Sequence, residues 1–334
     1  MLFVHSNFGF SSPTLEKIRS WGWIGVDLFF VISGYLITSI LVAAKGQPGY
    51  YRNFYARRCL RIWPLYYLLL LFVFGLSPHL GMWARQDYDP HVIHWPYYLF
   101  YVQNLVYPRL GSFCLVITWS LCVEEQFYCA WPLVVRRCSH RALTIVALAV
   151  LLAGTPFRMY LHHVGSSMGF FFTLTRLDPI AVGALVALHP KWFRYTWLAA
   201  PGAVWLLRSG DFDFVYLAVA LAMGSVVAYA VTNRCSVLQW APLRFLGKIS
   251  YGLYIYHPVA FGIFWLTPLY WAVGHWPYAN LIRLAGQMAF PIPFAALSWH
   301  LFEQPILRWK KLFETGAQHP KRTAIVAMPA NAES

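Results

Sequence analysis

The feature that most constrains this chain is a succession of apolar runs, many of them close to 20 residues long, separated by short polar segments. A helix of about 20 residues crosses the roughly 30 Å hydrocarbon core of a bilayer. Helices also satisfy all of their own backbone hydrogen bonds, as lipid requires. The sequence therefore predicts an all-α fold, a polytopic transmembrane helical bundle of about ten spans with the first one truncated. The predicted spans are 1–10, 22–44, 59–77, 118–135, 142–160, 169–189, 192–208, 212–232, 245–266 and 281–302.

Composition agrees with a membrane protein and excludes two other classes. Of the 334 residues, 59% are hydrophobic and 11% are charged, whereas a soluble domain carries about 25% charged residues. The net charge of +14 does not indicate nucleic-acid binding, because the charges lie between apolar runs and not on one polar face. The six cysteines show no C-x-x-C spacing, so we predict neither a metal site nor a disulfide framework.

The distribution of Lys and Arg predicts the orientation. Short cytoplasmic loops collect basic residues, and the bias is strongest if both termini are cytoplasmic and the polar stretch 92–107 is re-entrant or interfacial. We expect a multi-pass protein of the plasma (inner) membrane, with one membrane domain over 1–314 and a cytoplasmic, disordered tail over 315–334. The basic residues then on the inside are Lys45, Arg52, Arg57, Arg58, Arg61, Arg136, Arg137, Arg141, Lys191, Arg194, Arg234, Arg244, Lys248, Arg308, Lys310, Lys311, Lys321 and Arg322.

Several ionisable side chains fall inside the predicted spans, where they are costly and usually functional. In the predicted topology most of them lie toward the outer half, with one near mid-depth, and this shared depth predicts one polar cavity. The alternative is that they pair with one another and hold helices together. The residues are His5, Asp27, Glu124, Glu125, Arg158, Arg176, Asp178 and, near mid-depth, His257.

On the inner side, Arg58 and Arg61 lie one turn apart on one helix face. Two guanidiniums in this arrangement are able to hold a phosphate group through paired hydrogen bonds. The alternative is that both residues anchor the helix by the ordinary positive-inside bias.

Seven segments together resemble the acyltransferase 3 family of bacterial membrane O-acyltransferases, in the family's order and over nearly the whole chain. Any one of them is a weak signal, but the set is specific. The segments are LFVHS (2–6), GVDLFFVISGYLIT (25–38), FYARRCLRIWPLYY (54–67), WSLCVEEQFYCAWP (119–132), TRLDPIAVGALVA (175–187), ISYGLYIYHP (249–258) and FEQPILRWKK (302–311).

The resemblance implies a cytoplasmic acyl-CoA co-substrate and an acceptor hydroxyl on a carbohydrate, a lipid-linked saccharide or another glycan-type molecule. The family's functional histidine falls on His5, and its Arg-x-x-Arg pair, which meets the CoA phosphates, falls on Arg58 and Arg61. Relatives carry a basic residue about three helical turns before the histidine. Here only four residues precede His5, so we expect the natural N-terminus to be longer.

The chemistry of acyl transfer fits this assignment. A hydroxyl that attacks a thioester must lose its proton, and imidazole titrates near working pH, so His5 is the predicted general base. A carboxylate bound to its second ring nitrogen would orient it. Asp27, Glu124 and Glu125 are equal candidates for that carboxylate.

Two further side chains are candidates for the substrate cavity. Tyr128, beside the glutamates, is placed to contact a sugar. His257 precedes Pro258, so it either lines the cavity or hydrogen-bonds a carbonyl that the proline leaves without its helical partner.

Competing motifs carry less weight. The string GSSMG at 165–169 matches the G-x-S-x-G nucleophile elbow, but that motif needs a strand before its serine, and here it lies in a short loop between spans. No Walker loop or dinucleotide fingerprint occurs.

The alternative function is a secondary transporter or flippase, whose buried charges would relay protons or bind substrate. Such folds show paired halves, and this sequence shows no internal repeat.

Overall fold

The computed structural model describes residues 20–80, 95–106, 113–209, 212–233, 235–272 and 279–313. Within these ranges the chain is helical and forms no strand, which confirms the predicted all-α helical bundle. His5 lies outside the described residues, as do the first predicted span and the predicted tail. The principal helices are α1 (Ile24–Ala43), α2 (Tyr50–Leu70), α3 (Trp119–Arg137), α4 (His140–His163), α5 (Asp178–Leu188), α6 (Ala199–Ser209), α7 (Phe212–Thr232), α8 (Ala241–Leu266), α9 (Ala279–Ala289) and α10 (Pro291–Ser298).

Five helical segments of the described ranges are long and apolar enough to cross a membrane. Each overlaps a predicted span. The second begins at Tyr50 and not at residue 59, because the basic residues of α2 are part of the helix. The fifth continues to Phe313, beyond the predicted end at residue 302. The count of ten spans and the division at residue 314 stay predictions. The five segments are Trp21–Ala43, Tyr50–Leu76, His140–His163, Asp213–Thr232 and Ala279–Phe313.

Helices α5 and α6 are shorter than the sequence predicted. Each has 11 residues, where the spans 169–189 and 192–208 were expected, and 11 residues rise only about 16 Å. Before α5 the chain forms two 3-10 turns, Ser167–Phe170 and Thr173–Arg176. Ten of the eleven residues of α5 are buried, because α1, α4 and α7 pack around it. Helix α5 is thus a core helix of the bundle, and its apolar sequence reflects contact with protein.

Two glycines permit the close approach of α1 and α5. A Cβ atom built on Gly34 would lie 2.0 Å from the carbonyl oxygen of Ile180, and one built on Gly183 would lie 2.0 Å from the carbonyl oxygen of Val31. Both distances are far below van der Waals contact. Small residues at such crossings let helix backbones approach closely, as is common in membrane bundles.

The described part of the predicted re-entrant segment does not form a spanning helix. It contains a five-residue helix, Trp95–Leu99, and a 3-10 turn at Gln103–Leu105. Buried amides fix this turn: Gln103 Nε2 donates to Thr118 Oγ1 over 2.9 Å, and Asn104 Nδ2 donates to the hydroxyl of Thr173 over 2.8 Å. Side-chain bonds of this kind replace the backbone bonds that a continuous helix would supply.

Several loops predicted to be cytoplasmic lie at one end of the bundle. Lys45, after α1, donates to the carbonyl of Cys138 after α3. The guanidinium of Arg136 lies 5.5 Å from the ring centre of Tyr50. His189, after α5, lies 2.9 Å from Thr144 Oγ1 near the start of α4. The basic residues of these loops therefore share one face, and the assignment of that face to the cytoplasm stays a prediction.

Candidate active site

A cavity of about 670 Å³ opens between α1, α2, α3 and α8, with Met288 of α9 at its edge. Aliphatic and aromatic side chains form most of its wall, as in most small-molecule sites. A limited set of polar side chains converges on it from all four helices. These are Ser33, Arg58, Arg61, Ser120, Glu124, Tyr128, Ser250, Tyr251, Tyr254 and His257.

Glu124 stands at the end of a hydrogen-bond chain that joins α3 to α1. The hydroxyl of Tyr128, one turn later on the same face, donates to Glu124 Oε1 over 2.8 Å. Ser33 Oγ lies 2.6 Å from the same phenolic oxygen. Tyr128 gives its one hydrogen to the carboxylate, so the Ser33 hydroxyl is the donor in the second bond. This chain holds the carboxyl group of Glu124 at the cavity wall.

Arg58 and Arg61 enter the same cavity from α2. Neither guanidinium makes a hydrogen bond or an ion pair with the described residues, and aromatic rings hold them in place. Arg58 Cζ lies 5.6 Å from the ring centre of Tyr128, and Arg61 Cζ lies 5.9 Å from that of Trp299. Cation–π contacts of this kind orient a guanidinium without using its N–H donors. Two half-buried cations thus present their donors to the cavity.

His257 satisfies both interpretations left open by the sequence. Its side chain lines the cavity and is fully buried. Its Nδ1 lies 2.8 Å from the carbonyl oxygen of Tyr254, which is the carbonyl left without a helical N–H by Pro258. A carbonyl only accepts, so Nδ1 carries the hydrogen and the tautomer is fixed.

Four ionisable residues that the sequence predicted to share one polar cavity, with Asp27 as a catalytic candidate and Arg158, Arg176 and Asp178 as substrate-cavity candidates, lie outside the lining of this cavity. Arg158 Nη2 donates to Asp178 Oδ2 over 2.8 Å, and Arg176 pairs with Asp27. All four are buried, and the ring centre of Tyr216 lies 4.4 Å from Arg158 Cζ and 4.5 Å from Arg176 Cζ. They form a separate network that joins α1, α4, α5 and α7, which is the helix-pairing alternative. Sequence indicates their depth but not which side of a helix faces which neighbour.

Glu125 is turned away from the cavity. Neighbouring residues of a helix point about 100° apart, so Glu125 faces a different side of α3 from Glu124. There Trp63 Nε1 donates to Glu125 Oε2 over 3.2 Å. Glu124 is the one carboxylate among the described residues that lines the cavity. His5 lies outside those residues, so which carboxylate orients it stays a prediction.

Sequence reasoning missed five polar residues of the lining, which are Ser33, Ser120, Ser250, Tyr251 and Tyr254. Ser33 completes the chain to Glu124, and Ser120 Oγ lies 2.6 Å from the hydroxyl of Tyr254. Single serines and tyrosines in an apolar helix have no distinctive periodicity. Only their position could have indicated them, since all five fall inside the segments 25–38, 119–132 and 249–258 that carried the family resemblance.

The fold and the site together define an integral membrane helical protein with a cavity that presents a guanidinium pair and a carboxylate. A family model for an acyltransferase domain matches residues 1–300. The chain belongs to that family, acyltransferase 3.

Three curated relatives are similar in sequence to this chain over most of its length. YrhL of Bacillus subtilis (strain 168) is 27% identical, over 92% of this chain and 52% of its own. The peptidoglycan O-acetyltransferase OatA of Listeria monocytogenes is 27% identical, over 86% and 52%. The O-acetyltransferase OatA of Staphylococcus aureus (strain NCTC 8325) is 28% identical, over 91% and 55%. The chain thus spans about half the length of the curated relatives it matches, and no solved structure matches it.

Proposed function

We propose that this chain is a membrane O-acyltransferase that moves an acyl group from cytoplasmic acyl-CoA to a hydroxyl of a carbohydrate or glycan-type acceptor. The observation that carries the proposal is the placement of Arg58, Arg61 and Glu124 in one cavity. Two guanidiniums with unused donors suit the phosphates of CoA, and a carboxylate suits the orientation of a histidine that takes the proton from a hydroxyl. Family membership favours this enzyme over a transporter.

In the proposed step, the acceptor oxygen attacks the carbonyl carbon of the thioester. A C–O bond forms, the C–S bond breaks, and the CoA sulfur leaves and takes up a proton. The acceptor's proton passes to a base. The family resemblance assigns this role to His5, and Glu124 is the cavity carboxylate that would orient its ring and stabilise the imidazolium. Tyr128 and Ser33 position Glu124 for that task.

The relatives support the proposed class of acceptor. OatA of Listeria monocytogenes is named as a peptidoglycan O-acetyltransferase. An acetyl group and a glycan hydroxyl are therefore the first substrates to test for this chain, and a lipid-linked saccharide is a second form of the same acceptor.

The donor assignment is tested by replacing both arginines. Arg58→Gln/Arg61→Gln removes the paired charge-assisted donors, each contact being worth about 1.5 to 3 kcal/mol, so the Kd for acetyl-CoA should rise at least about 100-fold. A Lys pair should restore binding only in part, because an ammonium lacks the planar fork. Binding is measured by calorimetry on protein in nanodiscs.

Arg52→Gln is the matched control, since Arg52 is exposed on the same helix and outside the cavity lining. It should bind acetyl-CoA like the wild type. Unchanged binding by the double Gln variant would leave Arg58 and Arg61 as membrane anchors and remove the donor assignment.

A further inference from the structure

A third cation beside the arginine pair has no role in the site described above. Lys310 belongs to the 3-10 helix Trp309–Phe313, which packs against α2. Its side chain is half-buried. It interacts electrostatically with Arg61, Arg58 and Arg57, and all three interactions are repulsive.

Arg58 and Arg61 have anionic neighbours, whereas Lys310 has none among the residues that the structure describes. Glu303 attracts Arg61, and the two glutamates of α3 attract Arg58. Lys310 makes no hydrogen bond or ion pair with the described residues. An ammonium held among guanidiniums with reduced access to water is unfavourable unless an anion compensates it. The cluster is therefore suited to a ligand with more than one negative group.

The position of Lys310 indicates which group it meets. Arg58 and Arg61 line the cavity, whereas Lys310 is adjacent to them and outside the lining. Acyl-CoA is a linear molecule in which the thioester comes first, then the pyrophosphate, and then the ribose 3′-phosphate. If the thioester lies in the cavity and the arginine pair holds the pyrophosphate, the 3′-phosphate lies further out.

We propose that Lys310 binds the 3′-phosphate monoester of the acyl-CoA donor and so makes this protein selective for CoA over its dephosphorylated form. This inference rests on the proposed function, because it presumes a CoA donor. A phosphate on a lipid headgroup offers similar chemistry, so the test includes membranes with and without anionic lipid.

The experiment compares the Kd values of CoA and 3′-dephospho-CoA for protein in phosphatidylcholine nanodiscs. The wild type should prefer CoA about tenfold or more, as expected for one charge-assisted contact. Lys310→Met should lose this preference by weakening CoA binding while dephospho-CoA binds as before. Lys311→Met is the matched control, because Lys311 is the next residue and is exposed, and it should keep the preference. The ratio of two Kd values in one preparation does not depend on the fraction of protein that folds.

Four outcomes would overturn the proposal. If Lys310→Met keeps the wild-type ratio, Lys310 does not meet the 3′-phosphate. If Lys310→Met weakens the binding of CoA and of dephospho-CoA equally, Lys310 acts on the pyrophosphate or through the overall electrostatic field of the site. If its effect occurs only when phosphatidylglycerol is added, the bound phosphate belongs to a lipid. If the wild type binds neither ligand, the proposed function fails together with this inference, whereas the first three results leave the proposed function intact.

Discussion

Glu124 and Glu125 are adjacent in sequence and differ in surroundings. Glu124 lines the cavity and accepts from Tyr128, whereas Glu125 accepts from Trp63 on another side of α3. A proton-transfer or orienting role needs access to substrate, and the cavity gives that access to Glu124.

We therefore predict unequal effects of two isosteric changes. Glu124→Gln should lower the rate of acetyl transfer by about 100-fold or more, since replacing the carboxylate that orients a catalytic histidine by an amide costs up to about 10⁴ in rate. Glu125→Gln should change the rate much less. Both variants are compared with the wild type by initial rates of acetyl transfer from labelled acetyl-CoA to a glycan acceptor. A larger loss of rate in Glu125→Gln than in Glu124→Gln would remove Glu124 from its proposed role.

Tyr128 acts through Glu124 and is a positioning residue. Tyr128→Phe keeps the ring beneath Arg58 but removes the hydroxyl that joins Ser33 to the carboxylate. We expect kcat to fall about tenfold while the Kd for acetyl-CoA stays unchanged. A rise in that Kd with unchanged kcat would instead place Tyr128 in donor binding.

Helix contacts give predictions about stability. The crossing of α1 and α5 leaves no room for a methyl group at Gly183, whereas Gly202 in α6 has open space around its Cβ position. Gly183→Ala should destabilise the protein by forcing the two helices apart. Gly202→Ala should leave stability unchanged or raise it slightly, because alanine favours a helix over glycine by about 1 kcal/mol. Thermal unfolding in one detergent compares the two variants. Equal midpoint temperatures of unfolding would contradict the close crossing of α1 and α5.

The ion pair between Asp27 and Arg176 holds α1 to the segment before α5. Breaking one partner of a buried pair leaves an uncompensated charge and typically costs about 3 to 5 kcal/mol. Arg176→Met should therefore lower the free energy of unfolding by about this amount. Asp27→Leu/Arg176→Met should recover much of it, because it removes both charges. A double variant less stable than the single one would show that the pair is not the source of the effect.

At the scale of the whole molecule, the distribution of charge predicts the orientation. The loops after α1, α3 and α5 lie at one end of the bundle, and the pair His162 and Asp213, 3.2 Å apart, lies at the other. Single cysteines in a cysteine-free background should be labelled from the cytoplasm at Arg141→Cys and Lys191→Cys and from outside at His163→Cys. Labelling of Arg141→Cys and Lys191→Cys from opposite sides would contradict both the topology and the fold.

The sequence alone determined the membrane class, most of the long helices and the shared face of Arg58 and Arg61. These depend on local quantities: the length of an apolar run, and the 3.6-residue period that brings positions three apart together. The family resemblance likewise depends on short segments that can be read from the sequence alone.

Only the tertiary structure decided which ionisable groups share a cavity. Asp27 meets Arg176 across 149 residues of sequence, and Ser33 meets Tyr128 across 95. It also showed that α5 is a short core helix, and that Lys310 lies beside the arginines of α2. Apolar residues look alike in sequence whether they face lipid or protein, and a charge indicates its partner only once helices distant in sequence have packed together.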